Sequence, residues 1–379
     1  MYDPRLDRLA EVLVRYSVAI RKDDVVRISG STEAEPLIVR LYAAVVKAGG
    51  HPVVRMAPSE CQEIFLKHAS AAQLAHVSPL AKHEVKTVDA SIGIWGDRNT
   101  KALSNVDPAR QAAASRARKP LLDLFFKRAA KPRTDPAKLR WTGTQFPTHS
   151  AAQDAEMSRA EYADFVFRAG LLHRADPVAQ WKKVSRRQQK VCDVLNKATE
   201  VRFVTPRGTD VTFGVAGRRW MNCDGHENFP DGEVFTGPVE TATEGVIVYD
   251  FPACHGGREV PDIRLTFKAG KVVDASASRN EDFLVTMLDQ DPGARVVGEL
   301  AVGCNYAIKR YTKNTLFDEK IGGTFHVAVG AAYPETGGRN KSGLHWDMVC
   351  DLRRGGRMIV DGQELSRNGR FLRPGWPGR

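Results

Sequence analysis

An apolar strand, an amphipathic helix and a second apolar strand follow one another within residues 25–56. The strands are Val25–Ile28 and Pro52–Met56, and the intervening Glu33–Lys47 carries apolar residues at helical spacing. Neighbouring strands joined by a helix-length crossover run parallel, so a parallel sheet is predicted. The turn Ser29–Glu33 has neither a GxGxxG nor a GxxxxGK[ST] motif. We therefore interpret this βαβ unit as scaffold rather than as a nucleotide site.

The pattern of the chain changes near residue 195. Beyond it, the turn formers of Pro206–Asp210 separate two β-prone runs, and those of Lys268–Gly270 separate two more. We predict an α/β N-terminal domain with parallel βαβ units over residues 1–195. An α+β C-terminal domain rich in antiparallel strands is predicted over residues 196–379.

The positive charge of the chain is concentrated in residues 98–190. That segment holds 20 Lys and Arg against 8 Asp and Glu, while the formal charge of the whole chain is +11. A basic patch can bind nucleic acid or another anionic partner. The segment lacks interleaved aromatic residues and any recognisable nucleic-acid motif. We interpret it as a solvated basic face and do not expect nucleic acid as a partner.

Several features of the sequence bear on its compartment. No run of about eighteen apolar residues is present, so no transmembrane helix is expected. The charged N-terminus is not followed by the apolar segment of a signal peptide. The six cysteines are scattered without a Cys-x-x-Cys pair, which argues against a zinc ribbon and against a disulfide framework. We predict a cytoplasmic protein with no membrane partner.

Two histidines and an aspartate lie close together within residues 319–347. His345 and Asp347 are two positions apart, so on a strand both would point to the same side and reach one cation. His326 stands in an apolar strand-like run, and Tyr333 follows it by seven residues. Imidazole beside carboxylate suits zinc, cobalt, manganese or ferrous iron better than calcium. Ordinary polar surface is the competing interpretation, because a short zinc motif such as HExxH is missing.

Two acidic residues outside this stretch are further candidate ligands. Glu233 ends a turn-rich segment directly before a β-prone Val-Phe-Thr, and Glu299 stands between two apolar runs. A buried carboxylate needs a cation or hydrogen bonds. Glu233 could instead face water from a loop, and Glu299 could pair with an arginine. Together with Asp347 and the two imidazoles, these carboxylates suit a pair of divalent ions that share a ligand.

Four longer motifs extend the argument beyond single residues: Asn228–Pro238, Gly298-Glu299, Leu316–His326 and Leu344–Asp347. In their order and residue identities, these motifs resemble those of the M29 family of metallo-aminopeptidases, the aminopeptidase T type. The resemblance covers most of the chain and implies two divalent ions, zinc, cobalt or manganese, held by Glu233, Glu299, His326, His345 and Asp347. It identifies Tyr333 as an active-site tyrosine. The role of Glu319 stays open between support of the ligands and structure.

The resemblance also implies a reaction, the removal of N-terminal residues from short peptides. Water activated by the two ions would attack the first carbonyl of the peptide. Glu299 would accept the proton of that water and pass it to the leaving amine, and the Tyr333 hydroxyl would donate a hydrogen bond to the developing oxyanion. The family further implies a homodimer with its active site inside a cavity, which would restrict the substrates to short peptides.

Two other functions stay open. Some relatives of this fold are mononuclear non-haem iron dioxygenases that cleave the ring of dihydroxypyridines, for which His326, His345 and Asp347 would suffice. Glu233 and Glu299 favour two metals and hydrolysis, because a single-iron site has no evident need for both. The other alternative is a non-catalytic binding protein whose basic face meets an anionic partner, and it leaves the ligand set unexplained.

Overall fold

The structure is a computed structural model that describes residues 3–378. The chain forms two compact units. The first comprises the chain up to Val178 together with Gly225–Phe229. The second comprises Ala179–Asp224 together with the chain from Pro230 onward.

The helix Pro177–Leu195 belongs, from Ala179, to the second unit. Its Val191 and Leu195 are buried in the apolar core of that unit, which is the physical reason for the assignment. The predicted domains, 1–195 and 196–379, place this helix in the N-terminal domain and so differ from the two units at this point.

Most helices lie in the first half of the chain and most strands in the second. The helices are α1 Arg5–Val12, α2 Glu35–Lys47, α3 Glu60–His68, α4 Ala71–Ala75, α5 Pro79–Thr87, α6 Pro108–Ala129, α7 His149–Asp154, α8 Arg159–Ala169, α9 Pro177–Leu195, α10 Glu281–Leu288 and α11 Thr315–Asp318. The first ten strands are β1 Val25–Ser31, β2 His51–Ala57, β3 Ala90–Trp95, β4 Arg140–Gln145, β5 Glu200–Val204, β6 Asp210–Gly214, β7 Met221–Cys223, β8 Asn228–Phe229, β9 Glu233–Thr236 and β10 Thr243–Val248. The others are β11 Ala253–His255, β12 Arg258–Val260, β13 Arg264–Lys268, β14 Lys271–Ser276, β15 Val297–Gly303, β16 Thr324–Gly330, β17 His345–Asp351, β18 Arg357–Val360, β19 Gln363–Arg367 and β20 Arg370–Phe371.

A parallel sheet is the centre of the first unit. Its strand order is β2-β1-β3-β4-β8, and all neighbouring strands run parallel. Val26 and Ile28 of β1 are fully buried, and α2 buries Leu37, Leu41 and Val45 at helical spacing. Each such side chain contributes roughly 1.5–3 kcal/mol when it leaves water. The predicted βαβ unit is therefore confirmed.

The second unit contains a two-stranded sheet of β11 and β12 and two large antiparallel sheets. The larger has the order β14-β13-β10-β6-β5-β18-β19-β20, and the smaller has the order β17-β16-β15-β9-β7. The two sheets share a core, in which Phe203 of β5 stacks on Phe325 of β16 with ring centroids 4.1 Å apart. The predicted hairpins are confirmed as β5–β6 and β13–β14. Both halves of the predicted fold class, α/β followed by α+β, are thus confirmed.

None of the helices within residues 3–378 is both long enough and apolar enough to cross a lipid bilayer. The six cysteines are free thiols, in agreement with the scattered spacing that predicted no disulfide framework.

Candidate metal centre

The five predicted metal ligands lie on one face of the smaller sheet. Residues paired across an antiparallel ladder share a face, as do residues two apart on one strand. Ala328 pairs with Glu299 on one side and with Asp347 on the other. Ala301 pairs with His326. The register therefore directs Glu299, His326 and Asp347 to the same side.

The remaining two ligands join this face through the same register. Gly303 of β15 pairs with Glu233, the first residue of β9. Gly330 of β16 pairs with His345, the first residue of β17. These partners are small, as are the two alanines on the face, so the space above the sheet is left to the donor groups.

A β-bulge at Gly298 turns Glu299 onto this face. Val297 pairs with Val329, yet Glu299 pairs with Ala328, so Gly298 is an extra residue in its strand. Without the bulge, strict alternation would direct the Glu299 carboxylate into the core. A Cβ atom on Gly298 would collide with the backbone carbonyl oxygens of Gly330, the last residue of β16, and of Ala331. Glycine is therefore required at this position.

The opposite face of the same strands is apolar. Alternation along the chain is visible in Glu299-Leu-Ala-Val-Gly303 and in His345-Trp-Asp347. A slip of one residue would exchange donors with core side chains, so burial determines the register. The residues buried on the apolar face are Leu300, Val302, Val327, Val329, Trp346 and Met348.

Glu233, Glu299 and His326 form a first group of candidate ligands. His326 Nε2 lies 3.4 Å from Glu233 Oε2 and 3.5 Å from Glu299 Oε1. The three residues are buried, and one ligand atom from each lies within 4.8 Å of the others. This spacing allows one cation to contact all three.

Glu299, His345 and Asp347 form a second group. His345 Nε2 lies 3.4 Å from Glu299 Oε2 and 3.5 Å from Asp347 Oδ2. The other ring nitrogen, Nδ1, is 2.9 Å from the Ala331 carbonyl oxygen and can donate to it. A hydrogen bond of that kind leaves Nε2 as the ligand atom and orients the ring. Glu299 belongs to both groups.

Several donor atoms of these groups are buried without a hydrogen-bond partner. They are Glu233 Oε2, both ring nitrogens of His326 and Asp347 Oδ1. Buried polar atoms in folded proteins are ordinarily paired, so converging unpaired donors indicate a place for a cation. Imidazole nitrogens and carboxylate oxygens suit zinc, cobalt or manganese. The residues therefore fit the divalent ions that the resemblance implies.

The imidazoles and carboxylates shift one another's pKa values. Burial opposes charge on His326, but the Glu299 and Glu233 carboxylates outweigh it and raise its pKa to about 9. For His345, burial is outweighed by Glu299 and Asp347, which raise its pKa to about 10. The same contacts hold the pKa of Glu299 below its ordinary value, although its burial acts in the opposite direction. A divalent ion that binds here must displace protons from the imidazoles.

Tyr333, the predicted hydrogen-bond donor, lies beside the second group. Its ring centroid is 5.4 Å from that of His345 and 5.3 Å from that of Phe235. The side chain is 41 % exposed, so a bound substrate can reach it. The Thr336 hydroxyl donates a 2.6 Å hydrogen bond to the Tyr333 carbonyl and holds the loop. The catalytic role of Tyr333 stays a prediction.

Sequence reasoning missed Lys320. This lysine is buried, with its Nζ atom 3.1 Å from Glu233 Oε1 and 2.6 Å from Glu319 Oε2. In the sequence it follows two acidic residues, a pattern typical of a solvated turn. Its burial results from tertiary packing, and its position inside the motif Leu316–His326 is the one signal that could have pointed to it.

Cys223, Asp231 and Glu233 form a third group within ligand distance. Asp231 Oδ1 already accepts a 2.9 Å hydrogen bond from the Gly232 amide. Burial raises the pKa of Asp231 in spite of the nearby Lys320 ammonium. One oxygen of the Asp231 carboxylate is already engaged by the Gly232 amide, so this group is a weaker candidate than the first two.

Known proteins resemble this chain over most of its length. A family model described as thermophilic metalloprotease (M29) matches residues 2–371. Aminopeptidase 2 of Geobacillus stearothermophilus is 26% identical, over 88% of this chain and 85% of that protein. Aminopeptidase T of Thermus aquaticus is 28% identical, over 88% of this chain and 86% of that protein.

Two solved structures are similar over nearly their whole length. Wild-type AmpT from Thermus thermophilus superposes with a TM-score of 0.84 at 26% identity, covering 98% of this chain and 100% of that one. A 2,5-dihydroxypyridine dioxygenase from Pseudomonas putida KT2440 superposes with a TM-score of 0.62 at 13% identity, covering 97% of each chain. At that identity the second likeness shows a shared fold alone.

The family match extends over almost the whole chain and confirms the resemblance that four sequence motifs indicated. The prediction of a metal-dependent peptidase, a hydrolase, is confirmed with it. This chain belongs to the M29 family of metalloproteases.

Proposed function

We propose that the chain is an aminopeptidase that uses two divalent ions, held by Glu233, Glu299, His326, His345 and Asp347. One observation carries the two-ion assignment. Glu299 belongs to two separate donor groups, with one oxygen facing each imidazole. A bridging carboxylate is the arrangement that a pair of ions needs. The relatives named above are aminopeptidases, which supports the choice of reaction.

Bound at these groups, divalent ions supply Lewis-acid activation of a peptide carbonyl and of water. The residues of the chain divide the other tasks. One carboxylate of the two groups would accept the proton of the attacking water and deliver it to the leaving amine, a part that the family resemblance gives to Glu299. The Tyr333 hydroxyl, which lies beside His345, donates a hydrogen bond to the oxyanion that develops on the carbonyl. The hydrogen bond between His345 Nδ1 and the Ala331 carbonyl oxygen orients the imidazole ring.

Several finer features of the proposal rest on the family resemblance. They are the restriction to short peptides, the homodimer, and zinc, cobalt or manganese as the metal, whereas the cytoplasmic setting stays a prediction from the sequence. Within the chain, the nitrogen-and-oxygen donor set supports this choice of metals over calcium.

The mononuclear iron dioxygenase is the second candidate, since a dioxygenase shares the fold. Its site would require His326, His345 and Asp347 to converge on one ion. In residues 3–378, His326 groups with Glu233 and Glu299, whereas His345 and Asp347 group with Glu299. The three residues do not form a ligand group of their own there, so the geometry favours two ions. A binding protein with a basic face would leave both groups without a purpose.

A single set of assays tests these alternatives. Protein stripped of metal would be reloaded separately with zinc, cobalt, manganese or ferrous iron. It would then be offered aminoacyl-p-nitroanilides and short peptides, each with a free or an acetylated N-terminus. We expect cleavage of the free substrates alone and two bound ions per chain. Inactivity with all four metals would refute the aminopeptidase, and one iron per chain with oxygen uptake on a dihydroxypyridine would establish the dioxygenase.

A further inference from the structure

Lys320 is a buried cation within the ligand cluster. Its side chain is 2 % exposed, and its Nζ atom lies 2.6 Å from Glu319 Oε2 and 3.1 Å from Glu233 Oε1. A buried ammonium without partners is strongly unfavourable, so these two carboxylates are what keep it in place. The ammonium in turn neutralises part of their charge.

The ammonium engages one oxygen of Glu233 and leaves the other free. Oε2 has no hydrogen-bond partner and lies 3.4 Å from His326 Nε2. Glu233 therefore offers a single oxygen to a cation in the first group. Glu319, whose role the sequence left open, directs one of its oxygens to Lys320.

The second group has no such neighbour. Within residues 3–378, Glu299 and Asp347 form ion pairs with imidazoles and with no ammonium or guanidinium group. The two candidate ion positions thus share Glu299, but the Lys320 ammonium is paired with a ligand of the first position alone. A resident positive charge stands beside the first position and not beside the second.

We propose that Lys320 is a positioning residue that makes the two ion positions unequal. Its charge repels a cation held by Glu233 and His326 and withdraws negative charge from the Glu233 carboxylate. The position formed by Glu299, His345 and Asp347 is then the tighter one, and the first position empties first on dilution. The inference rests on the proposed two-ion function.

Stepwise metal affinities test this inference without any measure of activity. Metal-free protein would be titrated with Co²⁺ at neutral pH against a chromophoric chelator. For the wild-type chain we expect two dissociation constants, separated by roughly tenfold or more. Lys320→Met keeps the length of the side chain and removes its charge. It should tighten binding at the weaker position and so lower the dissociation constant of that position by about tenfold. Lys320→Arg should keep the separation, and Asp347→Asn should remove the tighter constant.

Lys268 supplies a matched control, because it is an exposed lysine in the β13–β14 hairpin. Lys268→Met should leave both constants unchanged. If Lys320→Met folds, binds two ions and shows an unchanged or higher weak constant, the inference is overturned. A lysine with a merely structural role would give that result.

A second variant covers the case in which Lys320→Met does not fold. Glu319→Gln leaves the ammonium with Glu233 as its remaining carboxylate partner. The dissociation constant of the weaker position should therefore rise more than that of the tighter position. Equal changes in both constants would overturn the inference. Uptake of fewer than two ions by the wild-type chain would overturn the proposed function itself, which separates the two failures.

Discussion

Glu299 illustrates how much a single side chain depends on its surroundings. Its Oε1 atom lies 3.5 Å from His326, and its Oε2 atom lies 3.4 Å from His345. Burial alone would favour its neutral form, yet the two imidazoles hold its pKa below the ordinary value. The carboxylate is therefore charged, with each oxygen directed to a different donor group.

The Tyr333 hydroxyl offers a sharp test at the scale of a residue. Tyr333→Phe should lower kcat by about 10²–10³, the usual cost of losing one oxyanion donor. Metal content should stay the same, because the tyrosine ring contacts His345 without being a ligand. Steady-state kinetics and metal analysis of the same samples would measure both quantities.

Tyr42→Phe is the matched control for this change. Tyr42 is exposed on α2, in the first unit, so its loss should leave kcat unchanged. Wild-type turnover in Tyr333→Phe would show that the hydroxyl takes no part in the reaction.

At the scale of secondary structure, the ligand set depends on four neighbouring strands. Regular alternation puts donors on one face of β15, β16 and β17 and core residues on the other. The bulge at Gly298 is the one break in this alternation on β15, and it determines on which side Glu299 emerges. Small strand irregularities of this kind commonly adjust the direction of a side chain.

Gly298→Ala should damage the site through the bulge. The added Cβ would collide with two carbonyl oxygens, so the strand must shift. We expect uptake of both ions to weaken, since Glu299 serves both groups, and we expect the Tm to fall by roughly 2–4 °C for each kcal/mol of stability lost. Metal titration and differential scanning calorimetry would measure these effects.

Gly93→Ala provides the comparison for Gly298→Ala. Gly93 also lies in a strand, but its added Cβ would come no closer than 3.9 Å to the nearest atom, the Thr142 carbonyl oxygen, which is ordinary contact. Its metal uptake should match that of the wild-type chain. If Gly298→Ala bound both ions normally, the bulge would have no part in placing Glu299.

Asp361 joins the β18–β19 turn to the start of β5. Its carboxylate accepts hydrogen bonds from the Thr199 hydroxyl at 2.6 Å, the Thr199 amide at 3.0 Å and the Glu200 amide at 2.9 Å. The Thr199 hydroxyl is the largest influence, and together these bonds lower the pKa of Asp361 against the opposing effect of burial. A carboxylate with a lowered pKa stabilises the fold above its unfolded pKa of about 3.9 and loses that effect as the pH falls.

Asp361→Asn should therefore reduce the free energy of unfolding by roughly 1 kcal/mol at pH 7. Asn tolerates the left-handed backbone of this residue, φ 46°, so the change tests the charge rather than the turn. The difference from wild type should shrink below about pH 4. Denaturant unfolding across that range measures it, with the exposed Asp274→Asn as the control. A difference that stayed constant into acid would contradict the assignment.

At the scale of the whole molecule, net charge and local charge have opposite signs. The chain carries +11 overall, with the excess in residues 98–190. The candidate metal centre instead gathers carboxylates around a single ammonium, that of Lys320. The positive net charge suggests anionic partners, but it does not predict the candidate cation site, where the local charge is negative.

Removal of metal should destabilise the folded chain. An ion present at about a hundred times its Kd adds roughly 2.7 kcal/mol to the free energy of unfolding. For a protein of this size we expect the Tm to fall by about 5 °C when a chelator replaces excess zinc or cobalt. Thermal scans with and without metal would show the shift.

Glu299→Gln serves as the control for metal removal, because it weakens both donor groups at once. Its Tm should depend little on metal. An equal metal-dependent shift in this variant would mean that the stabilising ions bind elsewhere in the chain.

Local sequence patterns determined the fold class and predicted the candidate ligand residues. Alternation and turn formers predicted the βαβ unit and two hairpins, because these signals act over a few neighbouring residues. The motif Leu316–His326 and its companions led to the family, which supports Glu233 and Glu299 as candidate ligands.

Tertiary structure decided how those residues are arranged. Pairing between strands far apart in the chain brings Glu299 between two imidazoles, and local propensity does not specify such pairing. The same holds for the helix Pro177–Leu195, which packs in the second unit, and for Lys320, whose burial depends on carboxylates supplied by the fold. Burial and charge compensation depend on the complete three-dimensional structure, so the sequence alone predicted the candidate ligands but not the buried cation beside them.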